Sequence, residues 1–349
     1  MRRLPVFFVL DCSESMVGEN LRKMEQGLQS IVTALRGDPH ALETVYLSVI
    51  AFAGVARTIV PLIELMDFYP PRLPLGGGTS LGAALDTLMH EIDRQVVRTT
   101  ADAKGDWKPI VFLMTDGHPT DDPQAAIDRW RQTHARAAQL VAVGMGSQTD
   151  FSALARLTDQ VLLFEDSRPG DFKRLIDWVS ASVVARSQRL GEPNELSLTK
   201  SFDERVLSLV KDAPTTHADD NCVVLVGRCQ KHRRPYLIKY EREERALSTV
   251  EFNLPLSSYQ LAGCYPLDES YFDWSDPRTS SLKVNTAELM GAPGCPHCGN
   301  ATAFAVCGCG KLLCLNGPGE AICPWCEKTV AFAPGASDAG GFDVGRSQG

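Results

Sequence analysis

Five oxygen-bearing side chains stand where an open α/β sheet could gather them around one cation. Asp11-Cys12-Ser13-Glu14-Ser15 follows directly on an apolar run, residues 4–10. As the chain leaves such a strand, alternate residues turn the same way, so Asp11, Ser13 and Ser15 converge while Cys12 and Glu14 face away. Gly76-Gly77-Gly78 is a flexible turn that delivers Thr79 just before a helical pattern, and Asp116 follows a second apolar run at 110–114. Carboxylates with hydroxyls form a hard donor set, suited to Mg²⁺ or Mn²⁺ rather than to zinc. His118 lies two residues beyond Asp116 and is expected to make ordinary surface hydrogen bonds. Ser13 and Ser15 have no identifiable base and no Ser/His/Asp arrangement can be placed, so catalysis is not expected.

A second chemistry sits at the other end. Of eleven cysteines, seven fall between Cys295 and Cys326. Cys295-Pro-His-Cys298 and Cys323-Pro-Trp-Cys326 are two CPxC turns, and each points a pair of thiolates at one ion. Two such turns complete a tetrahedral zinc site, although their separation is slightly longer than the roughly 15–20 residues of the generic pattern. The preferred reading is one Cys₄ ribbon made of Cys295, Cys298, Cys323 and Cys326. Cys307, Cys309 and Cys314, with His297, are the candidates for a second or substitute zinc set. A ribbon of this size buries too little apolar surface to fold alone, so the metal is structural. The run Cys229-Gln-Lys-His-Arg-Arg-Pro pairs Cys229 with His232, but four charges at a turn read as a solvated loop. Cys222 and Cys264 read as small buried residues.

These groups need elements to hold them. The first 185 or so residues alternate apolar strands with amphipathic helices, the pattern of a parallel sheet covered on both faces. Strands are expected at 4–10, 45–52, 56–60, 110–114, 140–143 and 161–164, the second and third as an edge hairpin around Gly54. Helices are expected at 18–36, 80–97, 122–138, 150–157 and 170–187. In such sheets ligands bind beyond the carboxyl ends of the strands, where Asp11 and Asp116 lie. The expected organisation is a Rossmann-like domain at 1–190, a linker at 191–200, a β-rich middle at 201–290, a zinc ribbon at 291–332 and a disordered tail at 333–349.

Bulk properties limit the function classes. The chain has 349 residues, 44% hydrophobic and 22% charged, with a net charge of −8. Such a balance suits a globular protein that handles cations and disfavours binding to phosphate backbones. The segment between the two CPxC turns has only Lys311 as a basic residue, so the ribbon is not expected to bind nucleic acid. Arg2 and Arg3 before an apolar run imitate a secretion signal, but that run is short and ends on Asp11 without a cleavage site. No apolar run approaches the ~20 residues of a membrane span. A cytoplasmic protein is expected.

The three oxygen-bearing loops, taken together and in this order, resemble the von Willebrand factor A domain and its metal-ion-dependent adhesion site, over about residues 4–187. The resemblance implies that Ser13, Ser15 and Thr79 contact the metal, with Asp11 and Asp116 acting directly or through water. It also implies an open coordination position for a partner's Glu or Asp. With the C-terminal cysteines, the whole chain resembles the bacterial TerY-like family associated with tellurite resistance and stress. That likeness implies a non-enzymatic adaptor in a module with a Ser/Thr protein kinase and a PP2C-type phosphatase. The competing expectation is an accessory subunit of an AAA+ chelatase-type machine, whose motor would be a separate chain because no GxxxxGK[ST] occurs here.

Overall fold

A computed structural model describes residues 2–116, 118–146, 149, 151–164, 170–188, 207–209, 221–248, 253–278, 282–332 and 341–347. The chain forms two compact units, divided near residue 217, with Gly76–Gly78 grouped with the second.

The first unit is a seven-stranded sheet in the order β3-β2-β1-β4-β5-β6-β7. Its strands are β1 (Leu4–Asp11), β2 (Val45–Phe52), β3 (Ala56–Glu64), β4 (Ile110–Thr115), β5 (Gln139–Met145), β6 (Val161–Phe164) and β7 (Leu207–Leu209). The inner strands run parallel, and β3 closes one edge antiparallel to β2. β7 does the same beside β6. Helices α1 (Glu19–Arg36), α2 (Pro39–Thr44), α3 (Leu81–Gln95), α4 (Gln124–Thr133), α5 (Phe151–Leu157) and α6 (Asp171–Gln188) connect them.

Every residue of β1 is buried, as a strand covered on both faces requires. Its alternation feeds two cores. Phe7 and Val9 pack with Leu85, Leu88, Ile127 and Leu154 from α3, α4 and α5. On the opposite face Phe8 stacks on Phe112 at 5.7 Å, and Phe112 meets Trp178 of α6 edge-on at 6.0 Å. There α1 and α6 approach so closely that a Cβ on Gly27 would stand 2.6 Å from Ile176 Cδ1.

The expected hairpin, strands and long helices of this unit are present, with small shifts at their ends. Helix α4 stops at Thr133, short of the expected 138. Helix α2 was not expected, yet Asp38 accepts from the Ala41 N–H at 2.8 Å and Pro39 opens it, a standard start signal in a helix of only six residues.

The second unit joins what the sequence suggested were separate parts. Strands β8 (Cys222–Arg228), β9 (Pro235–Ser248), β10 (Asn253–Pro266), β12 (Leu289–Met290), β13 (Thr302–Val306) and β14 (Leu312–Leu315) form one sheet in the order β12-β10-β9-β8-β14-β13. The proposed border between a middle domain and a ribbon at 290/291 therefore does not hold, because β14 pairs in parallel with β8. The tail is also partly ordered. Strand β17 (Asp343–Gly345) pairs with β11 (Lys283–Asn285), burying Val344 to 3% exposure. A short helix α7 (Ser270–Trp274) and the hairpin β15 (Gly319–Ile322)–β16 (Thr329–Phe332) complete the unit. The expected linker at 191–200 lies outside the described residues.

Gly227 has a plain steric reason. A Cβ there would stand 2.4 Å from the Tyr236 ring, whose hydroxyl donates to the Ala303 carbonyl at 2.5 Å and ties β9 to β13.

Candidate metal centres

In the first unit Asp11 ends β1 with Ser13 and Ser15 just beyond it, Asp116 follows the parallel neighbour β4, and Thr79 stands in the segment between β3 and α3. Asp11 is the last residue of β1 and is fully buried. Its Oδ1 accepts the Ser13 N–H at 2.9 Å, and its Oδ2 accepts the Thr115 hydroxyl at 2.5 Å. These two donors fix the carboxylate plane. Ser13 Oγ and Ser15 Oγ lie 2.9 Å apart. Thr79 is buried one residue before the cap of α3, and its backbone joins the loop after β4 twice. Its N–H donates to Thr120 Oγ1 at 2.8 Å, and its carbonyl accepts the Thr120 N–H at 2.9 Å. Asp116, half-buried, follows β4 in that same loop. His118 is half-buried there too.

Burial, together with the charge of Asp116, pushes the Asp11 carboxyl up to about 7, against the hydrogen bonds from Thr115 and Ser13. Two carboxylates close enough to oppose each other's ionisation, beside paired hydroxyls, form an electrostatic arrangement that a divalent cation relieves. The donor atoms are all oxygen, so the set fits Mg²⁺ or Mn²⁺.

In the second unit eight of the ten cysteines sort into two groups of four. Cys229, Cys295, Cys298 and Cys314 have sulfurs all within 4.8 Å of one another, and so do Cys307, Cys309, Cys323 and Cys326. The single ribbon expected from Cys295, Cys298, Cys323 and Cys326 is thereby corrected, because each CPxC turn belongs to a different group. Cys229 with Cys314 completes the first, and Cys307 with Cys309 completes the second. His297 is in neither, since its Nε2 lies 2.7 Å from the Pro235 carbonyl oxygen. Cys222 and Cys264 also stand apart, and burial pushes the Cys264 thiol up to about 12.

The spacing of the sulfurs fits a tetrahedral metal. Zn–S bonds of about 2.3 Å place neighbouring sulfurs roughly 3.8 Å apart. Cys298 and Cys314 are 3.6 Å apart, Cys307 and Cys326 3.8 Å, and Cys309 and Cys323 3.9 Å. Backbone amides point at these sulfurs. Gln230 N–H donates to Cys314 at 3.2 Å and His232 N–H to Cys229 at 3.3 Å. The Lys328 amide holds the Cys326 thiol below its ordinary range, which favours the thiolate a metal needs.

Cys229 is the ligand that sequence reasoning passed over. Its loop is a knuckle of the same build as the CPxC turns. Cys229, Cys295 and Cys323 each donate an N–H to the carbonyl five residues on, of Arg234, Asn300 and Lys328. Each also accepts from the amide four residues on, of Arg233, Gly299 and Glu327. Those three residues share a left-handed backbone, φ 57°, 74° and 60°. The signal was obscured because His232 stands where the CPxC turns carry their second cysteine.

Two domain families match this chain: the von Willebrand factor type A domain over residues 6–177, and the TerY-C metal binding domain over residues 219–349. The chain joins a von Willebrand factor type A domain to a TerY-C metal-binding domain. The first match takes in Asp11, Ser13, Ser15, Thr79 and Asp116 with strands β2 to β6 and most of β1, and the second covers both cysteine groups. Solved structures similar to this chain include proximal thread matrix protein 1 of the mussel byssus, at 19% identity and a TM-score of 0.37, covering 52% of this chain and 47% of that one. The chain thus spans about half the length of that relative. One form of the mussel protein has a zinc-occupied MIDAS motif. A von Willebrand factor type A protein of Catenulispora acidiphila matches at 13% identity and a TM-score of 0.42, over 81% of this chain and 61% of its own. No helix among the described residues is long and apolar enough to cross a membrane.

Proposed function

We propose that this protein is a non-enzymatic adaptor whose A domain docks a partner's carboxylate on a Mg²⁺ or Mn²⁺ ion. Asp11, Ser13, Ser15, Thr79 and Asp116 would hold the ion. The observation that carries the reading is the fully buried Asp11 carboxylate, fixed by two donors and opposed by a second carboxylate at the mouth of the sheet. Six oxygens surround Mg²⁺, and it seldom sheds all its water, so a five-residue cradle keeps a place for an oxygen from outside. The two thiolate groups would hold zinc and give the second unit its shape.

The TerY-C family supports a place in a tellurite- or stress-linked signalling module, in which a Ser/Thr protein kinase and a PP2C-type phosphatase are the proposed partners. An affinity pull-down with and without EDTA tests the reading. The wild type should retain its partner only with the metal present, and Asp116→Ala and Thr79→Ala should lose the same partner while keeping the far-ultraviolet spectrum of the wild type. Retention by these variants, or in EDTA, would sink the docking mechanism. An AAA+ ATPase in place of the kinase or phosphatase would move the chain to the accessory-subunit reading.

A further inference from the structure

The two thiolate groups are interleaved along the chain. Cys229, Cys295 and Cys298 belong to the first, Cys307 and Cys309 to the second, Cys314 to the first again, and Cys323 and Cys326 to the second. The segment that passes from one to the other is β14, and its alternation divides it between them. Leu312 and Cys314 pack into the core that holds Cys229 and Cys295. Leu313 lies between them in sequence and faces the other way, into the core of Cys307 and Cys323. A four-residue strand thus forms a wall of both sites.

Three further contacts fasten the groups together. Trp325, inside the Cys323–Cys326 turn, donates its Nε1–H to the Leu312 carbonyl at 2.7 Å. Arg228, next to Cys229, lays its guanidinium 4.7 Å from the Trp325 ring centre and 5.1 Å from that of Phe272, while Glu269 holds it with two 2.8 Å bonds. Arg233 of the first knuckle pairs with Glu327 of the last at 2.8 Å. The Arg233–Glu327 pair is exposed and contributes little by itself. Strand β14 is buried or half-buried along its length, and Arg228 and Trp325 are half-buried beside the exposed Phe272.

We propose that the two groups take up metal as one cooperative unit, each filled site setting β14 and Arg228 in the arrangement the other needs. Ordering a strand costs conformational entropy, and the first ion to bind bears that cost for both. The inference rests on the reading that both groups hold zinc.

The test is native mass spectrometry of the full chain, stripped of metal under reducing conditions and titrated with Zn²⁺. Molecules with no ion and with two ions should dominate at half-saturation, whereas equal independent sites would leave roughly half the molecules with one. Cys309→Ser combined with Cys326→Ser disables the second group. Competition against a coloured chelator should then show the first group's affinity lowered about tenfold or more, as a coupling of ordinary size gives. Arg228→Met, which keeps all eight thiols and the aliphatic stem, should raise the one-ion fraction. A one-ion population at or above the independent share, or an unchanged affinity in the double variant, overturns the proposal. If the double variant fails to fold, the wild-type species distribution decides. A wild type that takes up no zinc overturns the metal reading itself, a result distinct from independent loading of two ions.

Discussion

Asp11 makes the metal-free protein sensitive to pH in an unusual direction. Its folded carboxyl is raised from 3.8 to about 7, so between those values the folded state holds a proton the unfolded chain releases. Its contribution to stability is complete below about pH 4 and is lost as pH rises through 7. In EDTA, Asp11→Asn should therefore melt higher than the wild type at pH 8, with the difference closing towards pH 5; equal melting curves at both pH values would refute this. Added Mg²⁺ should reverse the order, because the ion binds the ionised form and protects the wild type most above pH 7. The candidate oxygen ligands are legible because Asp11, Ser13 and Ser15 stand together after one strand, and Thr79 and Asp116 each follow a recognisable turn or strand. The grouping of the thiols is not legible, because Cys229 and Cys314 belong to no shared motif. They meet only because β14 pairs with β8, a contact no local pattern announces.

Elements read well where one face or both are buried by helices. Strand β1 reads plainly as a continuous apolar run because both its faces are buried, and helix α1 because Met24, Leu28, Ile31, Val32 and Leu35 are buried at helical spacing. The second unit reads poorly for the opposite reason. Its strands β11, β12 and β15 are only three, two and four residues long, too short to show a period. Packing in the first unit is correspondingly brittle. Phe112→Ala, which removes a ring stacked on Phe8 and set edge-on to Trp178, should cost about 3–5 kcal/mol in denaturant unfolding. Gly27→Val should destabilise also, because its Cβ has no room beside Ile176 unless α1 and α6 part. A loss below about 1 kcal/mol at Phe112 would mean the face repacks freely.

At the scale of the molecule, two compact units depend on different chemistry. The first has a continuous apolar core and should fold without metal, while the second, with zinc in its two cysteine groups as proposed, would draw a large part of its folding energy from metal–thiolate bonds. A zinc-selective chelator should thus lower one calorimetric transition and leave the A domain's in place; a joint shift of both would show that the A domain needs the cysteine groups. The interleaved order of the thiols also bears on biosynthesis. A nascent chain leaves the ribosome from the amino end, so Cys229 waits until Cys314 has emerged before its group can close, and the other group stays open until Cys326. Any product truncated between those points carries reactive, unligated thiolates and a half-built sheet. Such a fragment should be cut by protease faster than a chain that reaches beyond Cys326, where both groups of four are complete.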